Sequence, residues 1–268
     1  MSIYGVTAIR KCGTELYNEA RSWACTLDLP YIPRPIHGTL DQLLREKGLK
    51  AVLGPLVGGH QHRLQAFTEE GILKYHPSMG VPRIRNLKRG GSDHLAQACG
   101  FRTGMRVLDC TLGLAADAVV ASFLVGPEGK VVGLEASPVL YWAVSQGLKT
   151  YAIDDPDITA SLRRIQPRLG KAEELLPTFP ADSFDVVYFD PMFRKPVGNS
   201  ASMQPLRPAS YHKPLDPSMI REALRLAPRV VVKERDEDLL RSLGAREIQG
   251  GKYSKLRYGI IWREEGDQ

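Results

Sequence analysis

Met105-Arg-Val-Leu-Asp-Cys-Thr-Leu-Gly-Leu-Ala-Ala-Asp117 decides the architecture of this 268-residue chain. Apolar residues lead into Asp109, Thr111 and Gly113 punctuate, and the alanine-rich stretch from Ala115 to Val125 continues with helical character. The order is strand, turn, helix, which opens a Rossmann-like unit. Gly113 is the single glycine of the turn, so the Gly-x-Gly-x-x-Gly spacing that cradles a dinucleotide pyrophosphate is missing. A ligand without phosphates needs no such cradle. The next strand, Lys130-Val-Val-Gly-Leu-Glu135, ends in a carboxylate 26 positions after Asp109. Dinucleotide folds hold their ribose hydroxyls with an acid at that place. Ribose recognition without phosphate recognition points to S-adenosylmethionine rather than a nicotinamide dinucleotide.

Downstream, the apolar run Phe184-Asp-Val-Val leads into Tyr188-Phe-Asp-Pro-Met-Phe193. Asp190 should therefore emerge at the carboxyl end of a strand, the edge at which open α/β sheets bind ligands. Asp-Pro alone is a common turn signal. Here it stands with the two preceding motifs, and the trio suits chemistry on a planar amino group. The Asp190 carboxylate can accept an N–H, Pro191 fixes the turn and offers no donor, and Phe193 can stack on a base. These three are the candidate catalytic residues.

The surrounding sequence alternates strand and helix: Arg106–Asp109, Leu114–Val125, Val131–Leu134, Val139–Lys149, Arg163–Leu169, Ala172–Leu176 and Phe184–Phe189. After about 25 irregular residues rich in Pro, Ser and Arg come helix Pro217–Leu226, strand Arg229–Lys233, helix Asp236–Leu243 and two terminal strands ending at Trp262. Alternating βα units imply a mostly parallel sheet, closed here by a C-terminal antiparallel strand. The first 78 residues read as a small α/β domain. Thr14 is placed to cap a helix running to Thr26, and Thr39 to Gly48 form a second helix closed by glycine. Ala51–Leu56, His62–Phe67 and Gly71–Tyr75 read as strands, the last two as a hairpin around Glu69-Glu70-Gly71. The expected organisation is thus an N-terminal domain over 1–78, a basic linker and leading helix over 79–104, and a catalytic domain over 105–268.

Charge divides along the same line. Residues 1–104 carry 14 Lys and Arg against 8 Asp and Glu, while residues 105–268 carry 22 of each, so the net +6 lies entirely in the first part. Its densest run is Val81-Pro-Arg-Ile-Arg-Asn-Leu-Lys-Arg-Gly-Gly91, which offers Arg83, Arg85, Lys88 and Arg89 to a polyanionic substrate. Arg194, Lys195, Arg207 and Lys213 border the irregular segment, either as further phosphate contacts or as a solvated lid. Lys233, at the end of its strand, reads equally as a contact to the base or backbone and as a snorkelling lysine. No apolar run reaches the roughly 18 residues of a membrane span, and no secretory signal is expected from the first ten residues, which lack a basic head followed by a long apolar region. Cys12, Cys25, Cys99 and Cys110 are widely spaced and lack a C-x-x-C pair, as expected of free thiols in a reducing cytoplasm. His60 and His62 beside Gly58-Gly59 give a weak metal signal, and no metal is expected.

Asp109-Cys-Thr-Leu-Gly-Leu-Ala-Ala-Asp117, Glu135-Ala-Ser-Pro138, Tyr188-Phe-Asp-Pro-Met-Phe193 and Val230-Val-Val-Lys233 together resemble the bacterial 16S rRNA guanine-N2 methyltransferase family, the RsmJ type. The resemblance covers roughly residues 79–262. Two positions depart from the family pattern: Ala115 stands where its turn carries glycine, and Arg194 where proline is typical. The resemblance implies a class I methyltransferase sheet and S-adenosylmethionine as cofactor. It implies that Ala116 and Asp117 offer backbone N–H groups to the methionine carboxylate. Glu135 would hold the ribose, with Ala136 beside the adenine and Ala172 and Glu173 flanking its ring and amino group. Asp109 and Gly113 would shape the turn against the cofactor, and Asp190 would border cofactor and target. The implied partner is RNA, 16S rRNA or the small ribosomal subunit. Two alternatives stay open: another amino acceptor (a DNA base, another RNA or a protein amide), and a non-catalytic RNA-binding or assembly factor on the same fold.

Overall fold

A computed structural model describes residues 3–8, 13–34, 39–55, 64–77, 79–191, 214–251 and 254–264. Phe193, Arg194, Lys195, Arg207, Lys213, His60, His62 and Cys12 lie outside the described residues. The chain falls into two compact units, one from residues 1–75 and 137–143 and the other from 76–136, 144–196 and 211–268 as far as these are described.

The first unit is a four-stranded sheet with two helices. Strands β1 (Tyr4–Val6), β2 (Ala51–Pro55), β3 (Leu64–Thr68) and β4 (Gly71–Leu73) lie in that order, with β1 and β2 parallel and the others antiparallel. Glu69 and Glu70 make the turn between β3 and β4, since Thr68 pairs with Gly71. Helix α1 spans Thr14–Thr26, and Thr14 is its first helical residue rather than its cap, a place taken by Gly13. Helix α2 (Leu40–Lys47) is capped as its residue types dictate. The Thr39 hydroxyl accepts the Gln42 N–H, and Gly48 adopts the left-handed conformation that closes the last turn. Its Leu40, Leu43 and Leu44 bury against Val52 and Phe67.

In the larger unit the element order is α3 (Gly80–Lys88), α4 (His94–Cys99), β5 (Arg106–Asp109), α5 (Ala116–Val125) and β6 (Lys130–Glu135). There follow α6 (Pro138–Thr150), whose residues up to 143 belong to the first unit, α7 (Pro156–Arg164), β7 (Ile165–Leu169), α8 (Ala172–Leu175) and β8 (Val186–Phe189). The last elements are α9 (Pro217–Leu226), β9 (Arg229–Glu234), α10 (Glu237–Ser242), β10 (Glu247–Gln249) and β11 (Arg257–Trp262). The sheet runs β10-β11-β9-β8-β5-β6-β7. Strands β7, β6, β5, β8 and β9 are parallel, and β11 is antiparallel to both its neighbours. This is the expected Rossmann-like class I methyltransferase arrangement. β5 has β6 on one side and β8 on the other, so successive crossovers diverge there and leave a crevice above the carboxyl ends.

Side-chain alternation along β8 and β9 sorts the core into two layers. Val187, Phe189, Val230 and Val232 pack with Met219, Ile220, Ala223 and Leu226 of α9. Val186, Tyr188 and Val231 pack with Leu95, Ala98 and Cys99 of α4. Both faces are covered, which is why these strands read as unbroken apolar runs, and each buried valine stabilises the sheet by about 1.5–3 kcal/mol.

Three local expectations are corrected. Residues 80–88, read as a basic linker, form α3: Pro82 falls in its first turn, where a missing N–H costs nothing. Helix α7 was not anticipated, although Asp155 caps it and Pro156 opens it. Helix α5 starts at Ala116 rather than Leu114 because Ala115 stands at φ 61°, in the left-handed region.

Candidate active site

The crevice is furnished by the residues that follow β5, β6, β8 and β9. At the end of β5, the Asp109 carboxylate turns back to accept the Thr111 N–H at 2.9 Å. The Thr111 hydroxyl donates to the same oxygen and accepts the Asp190 N–H at 2.6 Å. Thr111 thereby ties the turn after β5 to the turn after β8. Gly113, at φ 52°, donates its N–H to Glu135 Oε2 at 3.0 Å, tying the first turn to the end of β6.

The side chain of Asp190 meets Lys233. The pairing of β8 with β9 sets Tyr188 opposite Val231 and Phe189 opposite Val232, so the next pair in that register is Asp190 and Lys233. Lys233 Nζ donates to Asp190 Oδ2 at 2.7 Å and to Asp117 Oδ2 at 3.1 Å. Asp117, in the first turn of α5, also accepts the Tyr188 hydroxyl at 2.8 Å and the Arg83 guanidinium on its other oxygen. Arg83 grips Asp93 with two bonds of 2.7 and 2.9 Å, and Asp93 caps α4. The result is a chain of alternating charge, Asp93–Arg83–Asp117–Lys233–Asp190. Its most exposed member is Asp190, whose side chain is 27% exposed against 24% for Arg83 and 15% for Lys233.

Burial and neighbours set the protonation of this chain. Burial pushes Asp190 up to about 6, with Lys233 opposing the rise and Asp117 adding to it. Burial alone would also raise Asp117, but Lys233 and Arg83 outweigh it and bring its pKa down to about 2. Lys233 and Arg83 are held above their usual ranges, because their carboxylate partners overcome burial. Asp109 is driven by burial to about 7, with Thr111 opposing and Asp117 adding to the shift.

The expected site residues are therefore placed as follows. Asp109, Gly113, Asp117, Glu135 and Asp190 converge on the crevice, with Pro191 immediately after. Ala136 follows β6 partly exposed, and Ala172 and Glu173 open α8 just after β7. Of the basic residues, Arg83 and Lys233 are spent on internal carboxylates, and Lys88 is paired with Asp155 and Asp157, both at 2.9 Å. Arg85 and Arg89 stand exposed. Sequence reasoning missed the linking roles of Thr111, Tyr188 and Asp93. The Thr111 signal was present in the D-x-T-x-G turn, while the other two depend on contacts 71 and 10 residues apart in the chain.

A family profile described as "Putative SAM-dependent methyltransferase" matches residues 67–249, more than half of the chain. The chain belongs to this methyltransferase family. It is 30% identical over 233 residues to ribosomal RNA small subunit methyltransferase J of Pseudomonas fluorescens (strain Pf0-1), covering 84% of this chain and 83% of that one. The corresponding enzyme of Pseudomonas paraeruginosa is 34% identical over 222 residues, covering 80% and 78%. An uncharacterized protein of Bacillus subtilis (strain 168), YpiP, is 35% identical over 244 residues, covering 90% and 93%. Among solved structures, the SAM-dependent methyltransferase NGO1261 of Neisseria gonorrhoeae shares the fold at a TM-score of 0.51 and 19% identity, over 96% and 95% of the two chains.

The methyltransferase uses S-adenosylmethionine, and the crevice fits it. Glu135 is a buried carboxylate at the carboxyl end of β6, of the kind that suits a pair of ribose hydroxyls. The N–H groups of Ala116, Asp117 and Ala118 in the first turn of α5 have no acceptor among the described residues, which suits the cofactor's carboxylate. Among the described residues no cluster of three His, Cys, Asp or Glu side chains is arranged to hold a metal, and no helix is long and apolar enough to cross a membrane.

Proposed function

We propose that the chain methylates an exocyclic amino group of RNA, guanine N2 of 16S rRNA, with Asp190 as the acceptor that orients the amine. The observation that carries this reading is the state of the Asp190 carboxylate. Oδ2 is bound by Lys233, Oδ1 has no partner among the described residues, and the side chain, 27% exposed, follows β8 beside the topological switch point. A guanine amino group is a poor nucleophile because its lone pair is delocalised into the ring. An acceptor on one of its hydrogens favours the pyramidal geometry in which the lone pair is available.

The cofactor, when bound, supplies an electrophilic methyl group. The protein's own work is to hold the amine and take its proton: the nitrogen gains a methyl, loses one hydrogen, and that proton passes to Asp190 Oδ1. Pro191 restrains the turn, and Phe193 stacks on a base drawn out of its helix, a contact worth about 1–3 kcal/mol. Glu135 holds the ribose, Ala136, Ala172 and Glu173 surround the adenine, and the first turn of α5 meets the methionine carboxylate. The exposed Arg85 and Arg89, with Arg194 and Lys195, bind phosphates. In this reading residues 105–268 carry the chemistry, the basic excess of residues 1–104 engages RNA, and the site of action is the cytoplasm. The names of the Pseudomonas relatives support the substrate class.

The test is mass mapping of 16S rRNA from cells with and without the protein, and from cells carrying Asp190→Ala. The expected outcome is loss of one N2-methylguanine in both, with a kcat reduced about 10²–10³-fold in the purified variant. Unchanged rRNA in the deletion would sink the ribosomal assignment. Loss in the deletion with full modification in the variant would remove Asp190 from the chemistry.

A further inference from the structure

We propose that Lys233 is a positioning residue for methyl transfer: its ammonium fixes Oδ2 of Asp190 and leaves Oδ1 as the one acceptor offered to the substrate amine. The inference rests on the amine-methylation reading for its consequence, but its geometry stands alone. Lys233 continues the face of β9 that carries Val231, and Asp190 continues the face of β8 that carries Tyr188, so both side chains arise on the α4 side of the sheet. The 2.7 Å bond to Asp190 and the 3.1 Å bond to Asp117 hold the ammonium between two carboxylates. Asp117 is itself fixed by the Tyr188 hydroxyl and by Arg83. A lysine so held has little freedom to reach RNA, which separates this role from the substrate contact suggested by the sequence.

The need for such a residue follows from what surrounds Asp190. Asp117 of α5 and Glu234 of β9 bring negative charge, Asp109 of β5 adds to it as it ionises near 7, and Tyr188 of β8 and Tyr258 of β11 are neutral phenols. Arg83 of α3 is turned to Asp93 and Asp117. Among the described residues Lys233 is the cation in contact with Asp190. Without it, a half-buried carboxyl beside other acids takes up a proton. A protonated Asp190 presents a donor where the substrate amine needs an acceptor.

The experiment compares wild type, Lys233→Met and Lys233→Arg in three readouts: kcat against pH with the RNA substrate, cofactor dissociation constant, and the titration of the Asp190 carboxyl by 13C NMR, assigned by its loss in Asp190→Asn. Lys233→Met should lower kcat at pH 7 about 100-fold, the order seen when one preorganised hydrogen bond is removed from a catalytic site. Its activity should climb again toward alkaline pH, with the cofactor constant unchanged and the Asp190 midpoint moved upward from about 6. Lys233→Arg should restore the midpoint and most of kcat. An unmoved midpoint in Lys233→Met overturns the proposal. So does a loss confined to KM for RNA with the pH profile unaltered, which would make Lys233 a substrate contact. The NMR arm needs no substrate: a moved midpoint in a protein that leaves guanine unmethylated upholds Lys233 and overturns only the acceptor assignment. If Lys233→Met does not fold, Lys233→Gln, which removes the charge but keeps a polar head between the two carboxylates, is carried through the same three readouts.

Discussion

A carboxylate that must accept a hydrogen bond has to stay charged in a place where water is scarce. Three acids share that difficulty here, and each meets it differently: Asp117 through two cations, Asp190 through one, Asp109 through the Thr111 N–H. Asp109 is the least compensated, and its pKa near 7 makes it a cost to folding. Its folded pKa lies above the unfolded value, so the folded state binds more protons between about pH 4 and pH 7 and loses stability as pH rises through that window. Asp109→Asn keeps an oxygen for Thr111 and removes the titration. Urea unfolding should therefore show the variant gaining on wild type from pH 5 to pH 8.5, and an identical difference at both pH values would contradict the assignment. At this scale Asp109 and Asp190 were legible in the sequence because each closes an apolar strand, and Asp117 because it opens the helix that follows the turn. Lys233 was not, since its partner is fixed by the register of β8 against β9, and Asp117 lies 116 residues away from it.

Among elements, the pairing of α3 with α5 does most to shape the site. A Cβ added at Gly80 would lie 2.3 Å from Val119 Cγ1 and 2.7 Å from the Ala116 carbonyl oxygen, so glycine lets the first turns of the two helices touch. One turn later Arg83 reaches Asp117. Gly80→Ala forces the helices apart, and overpacking of this kind costs about 1–3 kcal/mol. We expect a lowered Tm together with a fall in kcat, because Asp117 loses its second cation. A full-rate enzyme with a reduced Tm would show that Arg83 is merely structural. The βα units of the core were readable from period and punctuation, and α9 was located end to end. The segment containing α3 misled because Arg83, Arg85, Lys88 and Arg89, so close together, read as a basic linker offered to a polyanionic substrate. Two of them, Arg83 and Lys88, are instead neutralised by Asp93, Asp117, Asp155 and Asp157 from other elements.

For the whole molecule, binding and stability are linked. Cofactor at a hundred times its Kd should stabilise the fold by about 2.7 kcal/mol. Glu135→Gln keeps an acceptor for the Gly113 N–H but gives up the charge that favours ribose hydroxyls. Hydrogen bonds to charged groups contribute about 1.5–3 kcal/mol, so the same cofactor concentration should raise Tm by much less in the variant. Equal shifts would remove Glu135 from the cofactor site. The two sheets and the one-sided charge excess were visible from composition and periodicity. The order of the last strands was not, because nothing local tells β11 to enter between β9 and β10. That insertion has a consequence during synthesis. β10 leaves the ribosome before β11 but has no neighbour in the sheet until β11 arrives, and until then β9 keeps one row of backbone groups bare. A nascent chain stalled short of Arg257 displays an open valine-rich strand edge, the kind that recruits other chains into aggregates. Docking of these closing residues is thus the step that covers the open edge of β9.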